Sequence, residues 1–343
     1  MARGFGASHR RWQIDAIQLV IKLPEGIEKI DAGDRMIVPG FIDLQVNGGG
    51  GVLLNENPGL SGLRQICAAH AKFGKPGLLP TLITDTYEIT AKTVAAGKQA
   101  KAQGLPGFLG LHLEGPHLSI ARRVAHDPQL IRQMEEKDIE LMLSCKGKFD
   151  AMMITIAPEN VAVEQVKRLS EAGFMVSLGH TDTTYETAKE YTSAGTRNVT
   201  HLFNAMSPLG HRQPGVVGAA LDIGPLYAGI IADGIHAHPA SMGVALRGKN
   251  GPGKIFIVTD AMSTIGTDLK SFTLNGREIL RQNGRLTLAD GTVAGGRCRH
   301  DRVGAVRASR ARSVGRRSPA DGLGLSGRGS MVGWSQGCAD GRI

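Results

Sequence analysis

Four polar side chains in this sequence follow short apolar runs and are of the types that bind divalent metals or move protons. Glu114 lies in HLEGP, His180 in LGHTD and His201 in THLFNAM. One carboxylate and two imidazoles suit a transition metal and leave a coordination position open for water. Asp260, in VTDAM, could take a proton from that water and return it to a leaving group. These four residues therefore indicate a metal-dependent hydrolase.

Further histidine, amide and arginine side chains extend this candidate site. His236, in ADGIHAH, could stabilise a developing oxyanion with His238 as a structural residue, or the two could form a second metal pair. Gln45 and Asn47, in DLQVNGGGG, favour a single metal near the pocket because amides are poor ligands for transition metals. Arg212, in HRQPG, suits either a phosphate or carboxylate contact or an ordinary surface position.

The elements that must position these side chains alternate between strands and helices. Eight short apolar runs, separated by amphipathic helix-length stretches, predict a parallel sheet whose strands are buried on both faces. A (β/α)8 barrel fits this pattern, with a doubly wound open sheet as the alternative, and in a barrel the strand ends would bring the site residues to one rim. The predicted strands are Phe41–Val46, Gly77–Thr81, Phe108–Leu113, Met152–Ile156, Met175–Leu178, Asn198–Thr200, Tyr227–Ile231 and Ile255–Thr259. The predicted helices are Leu60–Phe73, Ile89–Gln103, Pro128–Leu143, Val161–Ala172, Thr183–Ala194 and Pro239–Leu246, and residues 207–221 are predicted to be loop-rich before a short helix.

Composition limits the class of protein. The 343 residues are 41% hydrophobic and 21% charged, which is typical of a globular chain and excludes a disordered or fibrous one. No stretch has the ~18 apolar residues of a membrane span, and residues 1–22 lack the pattern of a signal peptide. The four scattered cysteines predict reduced thiols in a cytoplasmic protein.

The net charge of +9 is concentrated at one end of the chain. Residues 297–343 contain ten arginines, no lysine and three acidic residues, so they carry +7, while residues 1–296 carry +2. The main body is therefore not expected to bind nucleic acid. The terminal segment also lacks Glu, Thr, Phe, Tyr and Asn, which favours a GC-rich gene read in a shifted frame. A genuine basic interaction tail, which could tether the barrel to nucleic acid, is the alternative.

Six stretches, VPGFIDLQVNG, HLEGPH, THLFNAM, IIADGIH, VTDAM and LADGT, together resemble the N-acetylglucosamine-6-phosphate deacetylases of the amidohydrolase superfamily. The resemblance covers roughly residues 23–295. It implies a (β/α)8 barrel with a small flanking β-sandwich built from both chain ends, and hydrolysis of the acetamide of N-acetylglucosamine 6-phosphate in amino-sugar catabolism. Residues 1–22 match poorly and the sequence after Gly295 departs from the family pattern, which would leave the sandwich incomplete.

Carried over residue by residue, the resemblance implies roles for the reacting groups. Glu114, His180 and His201 would bind one divalent metal, with zinc as the expected ion. Asp260 would be the acid and base, and His236 would contact the acetamide carbonyl.

The resemblance also implies how a phosphorylated amino sugar is held. Asn204, the Ala205 backbone and Arg212 would bind the phosphate, with Arg212 reaching into the neighbouring subunit of a homodimer. The implied sugar contacts are Ala125 and His126, and the segment implied to close over the sugar is Val293, Ala294 and Gly295.

The sequence predicts four regions. Residues 1–40 would begin the small β domain, residues 41–262 would form the barrel, residues 263–296 would supply the remaining β or lid segment, and residues 297–343 are the atypical tail. Two alternatives to the deacetylase stay open at this point. One is another amidohydrolase that acts on an N-acyl or cyclic amide, and the other is an inactive truncated product.

Overall fold

The computed structural model describes residues 5–10, 13–19, 26, 39–274, 276–282, 285–293 and 295. It divides into two compact units. One contains an antiparallel hairpin of Phe5–Arg10 (β1) and Gln13–Leu19 (β2), and the other begins at Gly40 and contains every other described element. The predicted tail at residues 297–343 and the predicted contact Ala294 lie outside the described residues.

Eight parallel strands form the barrel that the sequence predicts, and the open-sheet alternative is wrong. Neighbouring strands pair in chain order, and a bridge between Val46 and Ala261 brings the first and last strands together. The N–H of Asp260 also donates to the carbonyl of Gln45 at 3.0 Å across this seam. The barrel strands are Ile42–Val46 (β3), Gly77–Ile83 (β6), Gly110–Glu114 (β7), Ala151–Ile156 (β8), Met175–Leu178 (β9), Asn198–Val199 (β10), Tyr227–Ile231 (β11) and Ile255–Val258 (β12). Gly48–Gly49 (β4) and Val52–Leu53 (β5) form a small antiparallel pair after β3.

Helices follow the strands and bury their apolar faces against the barrel in one large hydrophobic cluster. Thr86 and Thr184 cap two of these helices by accepting the N–H groups of Ile89 and Thr187, so each cap satisfies one N–H at the helix start. Within the described part of the chain the helices are Leu60–Ala71 (α1), Tyr87–Ala102 (α2), Glu136–Leu143 (α3), Val163–Glu171 (α4), Tyr185–Ser193 (α5), Gly215–Asp222 (α6) and Pro239–Gly248 (α7). No helix in this part is both long and apolar enough to cross a bilayer.

One predicted helix is wrong at its start. The sequence pattern predicts a helix over Pro128–Leu143, whereas α3 begins at Glu136. Residues 128–135 form a loop whose backbone groups bond elsewhere, and the N–H of Arg132 donates to the carbonyl of Pro116 at 3.2 Å. Apolar spacing cannot reveal such a tertiary backbone partner, so the prediction extended the helix through the loop.

A three-stranded antiparallel sheet follows the barrel, within the segment predicted as a β or lid region. Its strands are Ser271–Leu274 (β13), Arg277–Gln282 (β14) and Arg285–Thr287 (β15). The sheet and the barrel share a second hydrophobic cluster, to which the barrel side contributes Leu53, Ile83 and Met262. The sheet therefore packs over one side of the barrel rim.

A fully buried ion pair lies at the seam where the barrel closes. Lys75 Nζ is 2.8 Å from Asp43 Oδ2, and the side chains of both residues are at most 1% exposed. Asp43 also accepts the hydroxyl of Thr259 and, at 3.2 Å, its backbone N–H. Because Asp43 is on the first strand and Thr259 follows the last, these bonds join the two ends of the sheet.

Replacing Asp43 with Asn is expected to lower the free energy of unfolding by about 3–5 kcal/mol, because it leaves the Lys75 charge buried without its partner. Urea denaturation would measure the loss. The double variant Asp43→Asn/Lys75→Met is the matched control, and it should be more stable than the single variant because it removes the unpaired charge. Equal losses in the two proteins would show that the charge is not the cause.

Candidate active site

The four residues that the sequence predicts as metal ligands and acid–base lie together at one rim of the barrel. Glu114 ends β7, and His180, His201 and Asp260 each lie two residues beyond the ends of β9, β10 and β12. All four side chains are buried. The carboxyl ends of parallel strands therefore bring together residues that are up to 146 positions apart in the sequence.

Glu114, His180 and His201 place three ligand-type atoms close enough to share one ion. His201 Nε2 lies 3.1 Å from Glu114 Oε1 and 3.1 Å from His180 Nε2, and His180 Nε2 lies 3.4 Å from Glu114 Oε1. A tetrahedral zinc about 2.1 Å from each donor would separate the donors by about 3.4 Å. The donor set and its spacing therefore fit a divalent cation.

The charges of these groups also favour a cation. Burial alone would raise the pKa of Glu114, but hydrogen bonds with His180 and His201 hold it well below its usual range. Burial alone would lower the pKa of His201, but the Glu114 contact, reinforced by Asp260, raises it. The Glu114 carboxylate thus favours positive charge beside it, which a bound cation would supply.

A backbone carbonyl sets the orientation of the His180 ring. His180 Nδ1 donates to the carbonyl of Arg122 at 2.9 Å, which directs Nε2 of the same ring toward Glu114. The Arg122 side chain in turn pairs with Asp182 at 2.6 Å. Sequence reasoning missed this role because a backbone acceptor has no residue-type signal.

His126 is a further candidate ligand that the sequence assigned to the sugar. Ligand atoms of Glu114, His126 and His180 all lie within 4.8 Å of one another, and the His126 ring is 4.3 Å from the His180 ring. His126 Nδ1 is 2.7 Å from the Thr84 hydroxyl. Burial, and next the proximity of His180, hold the pKa of His126 well below its usual range, so its ring is neutral. His126 and His201 are therefore competing third ligands.

Two amide side chains from the first strand reach Asp260. Asn47 Nδ2 donates to Asp260 Oδ1 at 2.6 Å, and Gln45 Nε2 lies 3.2 Å from the same oxygen. Gln45 Nε2 also lies 3.1 Å from each Glu114 oxygen, so it holds the two carboxylates side by side. Burial and then the Glu114 charge raise the pKa of Asp260 to about 6, within the range where one group can both accept and donate a proton.

Three of the four predicted metal-ligand and acid–base residues have unusual backbone conformations. The φ angles are +48° at His180, +32° at His201 and +49° at Asp260. Side-chain-bearing residues rarely adopt this left-handed region, and when they do they cluster at functional sites. The backbone is therefore bent at the point where these side chains enter the pocket.

His236 enters the pocket and His238 does not. His236 Nδ1 lies 2.7 Å from Asp233 Oδ2, and His236 lines the pocket. His238 is exposed and caps α7 by accepting the N–H of Ala240 at 3.1 Å. The two rings thus make different contacts, as expected if His236 alone serves the reaction. Asp233 was missed, although its i, i+3 spacing from His236 was visible in the sequence.

Of the predicted contact residues that the structure describes, most line this pocket and two do not. Gln45 is fully buried beneath it, and Arg212 is exposed on the loop before α6, outside the pocket of its own chain. The predicted residues that line the pocket are Asn47, Glu114, Ala125, His126, His180, His201, Asn204, Ala205, His236, Asp260, Val293 and Gly295.

The profile of the amidohydrolase family matches residues 36–272, which is more than two thirds of the chain. The chain belongs to the amidohydrolase family. This amidohydrolase is 42% identical over 259 residues to an N-acetylgalactosamine-6-phosphate deacetylase of Shewanella sp. (strain ANA-3), with 76% of this chain and 65% of the relative covered. It is 36% identical to the N-acetylglucosamine-6-phosphate deacetylase of Haemophilus influenzae, with 82% and 74% covered.

Solved structures agree with the barrel assignment. The N-acetylglucosamine-6-phosphate deacetylase from Pasteurella multocida superposes with a TM-score of 0.79 at 35% identity, covering 83% of this chain and 74% of that structure. This amidohydrolase thus covers only 65% of the length of the Shewanella relative and 74% of the length of the other two.

Proposed function

We propose that this amidohydrolase hydrolyses the acetamide of N-acetylglucosamine 6-phosphate to glucosamine 6-phosphate and acetate, as a step in the breakdown of amino sugars. The observation that carries the proposal is the buried cluster of Glu114, His180 and His201 with Asp260 beside it. The names of the relatives supply the phosphorylated N-acetylhexosamine as the substrate class.

We propose zinc as the single ion and Glu114, His180 and His201 as its ligands. Such an ion supplies Lewis acidity toward water and the amide carbonyl. The two amides, Gln45 and Asn47, hold the neighbouring carboxylates by hydrogen bonds, which supports one ion over two.

Asp260 and His236 perform the proton and charge steps in this proposal. Asp260 takes a proton from the attacking water, whose oxygen bonds to the carbonyl carbon, and then gives a proton to the amine as the C–N bond breaks. His236 donates from Nε2 to the acetamide oxygen, where negative charge develops. Because Nδ1 of His236 already donates to Asp233, this requires the imidazolium form, whose charge the Asp233 carboxylate balances.

Acetate release from N-acetylglucosamine 6-phosphate by the purified, zinc-supplemented chain tests this function. N-acetylgalactosamine 6-phosphate is the second substrate to assay, because the Shewanella relative at 42% identity carries that name. Faster acetate release from N-acetylgalactosamine 6-phosphate would make that sugar the preferred substrate, and the proposed deacetylation reaction would stand. No acetate from either sugar, with zinc bound stoichiometrically to folded protein, would exclude the proposal and favour another N-acyl or cyclic amide.

The phosphate is bound, in this proposal, by Asn204, the Ala205 backbone and an arginine from a second copy of the chain. Asn204 and Ala205 line the pocket, whereas Arg212 is exposed and outside the pocket of its own chain. A homodimer in which Arg212 enters the partner's pocket would complete the phosphate site. We also propose a cytoplasmic location, which agrees with the buried, unpaired thiols of Cys67 and Cys145.

The Arg212→Ala variant is expected to raise KM for the phosphorylated sugar by about 10- to 100-fold, the effect of losing a hydrogen bond to a charged group. KM for unphosphorylated N-acetylglucosamine should not change, and Arg64→Ala, at another exposed arginine, is the matched control. In a mixed dimer of an Arg212→Ala chain and an Asp260→Asn chain, the site that keeps Asp260 would receive Arg212 from the partner. Co-expression of the two chains should therefore restore a low KM in one of the two sites of each mixed dimer. Absence of that restoration would exclude action across the dimer.

A further inference from the structure

The pocket has an apolar side built from two different layers of the fold. Ile83 ends β6 and Met262 lies four residues beyond β12, so these side chains flank β3 on either side. Leu274, at the end of β13, joins them from the three-stranded sheet, and all three line the pocket. Each is less than one tenth exposed. We call Ile83, Met262 and Leu274 the acyl wall.

The polar contacts proposed for a sugar phosphate lie at a different part of the barrel rim. Asn204 and Ala205 follow β10, which is three strands away from β3 across the seam. Asp260 and the Glu114 cluster lie between these two sides, where the reacting carbonyl must be. The acyl wall and the Asn204–Ala205 segment therefore offer different chemistry on two sides of the pocket.

An amide carbonyl carbon carries two substituents, and they need different surroundings. The amine side bears a hydroxylated, phosphorylated sugar that requires hydrogen bonds, whereas the acyl side is a hydrocarbon group that gains from apolar contact. We infer that the acyl wall contacts the methyl group of the substrate's acyl chain and limits the length of the chain that can be hydrolysed. This inference rests on the proposed deacetylase function and names its acyl specificity.

Buried apolar side chains pack against the acyl wall on the side away from the pocket. Leu53, Ile279 and Leu286 belong to the same buried cluster and are at most 1% exposed. Met262 is also held by its neighbours, because Asn47 Nδ2 lies 3.3 Å from its sulfur. At Gly295, whose φ is +78°, an added Cβ would lie 2.6 Å from Met262 Cγ and Sδ, so the backbone itself packs against this side chain. A longer acyl chain would have to displace packed atoms.

The test compares kcat/KM for the N-acetyl, N-propionyl and N-butyryl forms of glucosamine 6-phosphate. The wild-type enzyme is expected to favour acetyl over propionyl by about 10- to 200-fold, the discrimination that one methylene gives in a tight apolar pocket. Met262→Ala is expected to reduce that ratio by about tenfold or more, because it removes the side chain that blocks the extra carbons.

Ile279→Ala is the matched control, since Ile279 is in the same cluster but does not line the pocket in the described part of the chain. It should lower the melting temperature and leave the acetyl-to-propionyl ratio unchanged. Ile83→Val, a smaller truncation, provides the same readout if Met262→Ala fails to fold, with an expected ratio about two- to tenfold lower than wild type.

The outcomes separate the inference from the proposed function. If the wild type hydrolyses the acetyl sugar and the folded Met262→Ala and Ile83→Val variants keep its acetyl-to-propionyl ratio, the acyl-wall inference is wrong. The proposed deacetylase function would stand. No hydrolysis of the acetyl sugar by folded, zinc-loaded wild type would overturn the function and, with it, the acyl wall. If the acetyl-to-propionyl ratio falls in the wall variants and also in Ile279→Ala, loosened packing is the cause and the inference is wrong.

Discussion

An Asp260→Asn variant is expected to release acetate with a kcat about 10²- to 10⁴-fold below wild type, the range that a positioned acid–base contributes. Asparagine has nearly the same shape and can still accept the bond from Asn47 Nδ2 through its oxygen. It can neither take a proton from water nor pass one to the amine. Burial and Glu114 raise the pKa of the native carboxyl to about 6, so both proton states are accessible near neutral pH.

The variant's zinc content should equal that of the wild type, because Asp260 is not among the proposed ligands. Asp268→Asn is the matched control, since Asp268 is exposed in the segment that follows the same strand. Rates and bound zinc would be measured on the same preparations. A kcat within threefold of wild type for Asp260→Asn would contradict the acid–base role.

We expect the His201→Ala variant to lose the bound metal and the His126→Ala variant to keep it. His201→Ala removes an atom 3.1 Å from both Glu114 and His180. The metal affinity should fall by more than the 10- to 100-fold typical of losing an outer-shell contact. His126→Ala should keep the metal and raise KM, as expected of a sugar contact whose ring is tied to Thr84.

Equilibrium dialysis against zinc, with the metal counted by elemental analysis, measures this difference independently of activity. Circular dichroism of each variant would show that the fold is intact. Loss of zinc from His126→Ala with retention in His201→Ala would reverse the assignment and make Glu114, His126 and His180 the ligand set, which the 4.8 Å grouping of their ligand atoms also permits.

The barrel could be predicted from sequence because a parallel strand buried on both faces has a nearly continuous apolar run. All eight predicted strands are present, and Tyr227–Ile231 and Met175–Leu178 have the predicted bounds. The site residues could be placed for the same reason, since the fold dictates that strand ends meet at one rim.

The contacts that orient the site could not be predicted in the same way. The carbonyl of Arg122, which holds His180, has no side-chain signal, and Thr84 lies 42 positions from the His126 that it contacts. The Lys75–Asp43 pair was also missed, because an isolated lysine in a sequence is ordinarily expected to be exposed. Long-range partners of this kind depend on how the strands come together, which residue spacing does not encode.

The left-handed backbone at His180, His201 and Asp260 lowers the stability of the fold whether or not a substrate is bound. Each such conformation costs about 1–3 kcal/mol, and together they approach the net stability of a typical domain, about 5–15 kcal/mol. The hydrogen-bonded walls of the barrel must therefore supply a surplus that offsets this strain. Stability and activity are thus in conflict at these three positions, and glycine there would relax the chain while removing the groups that react.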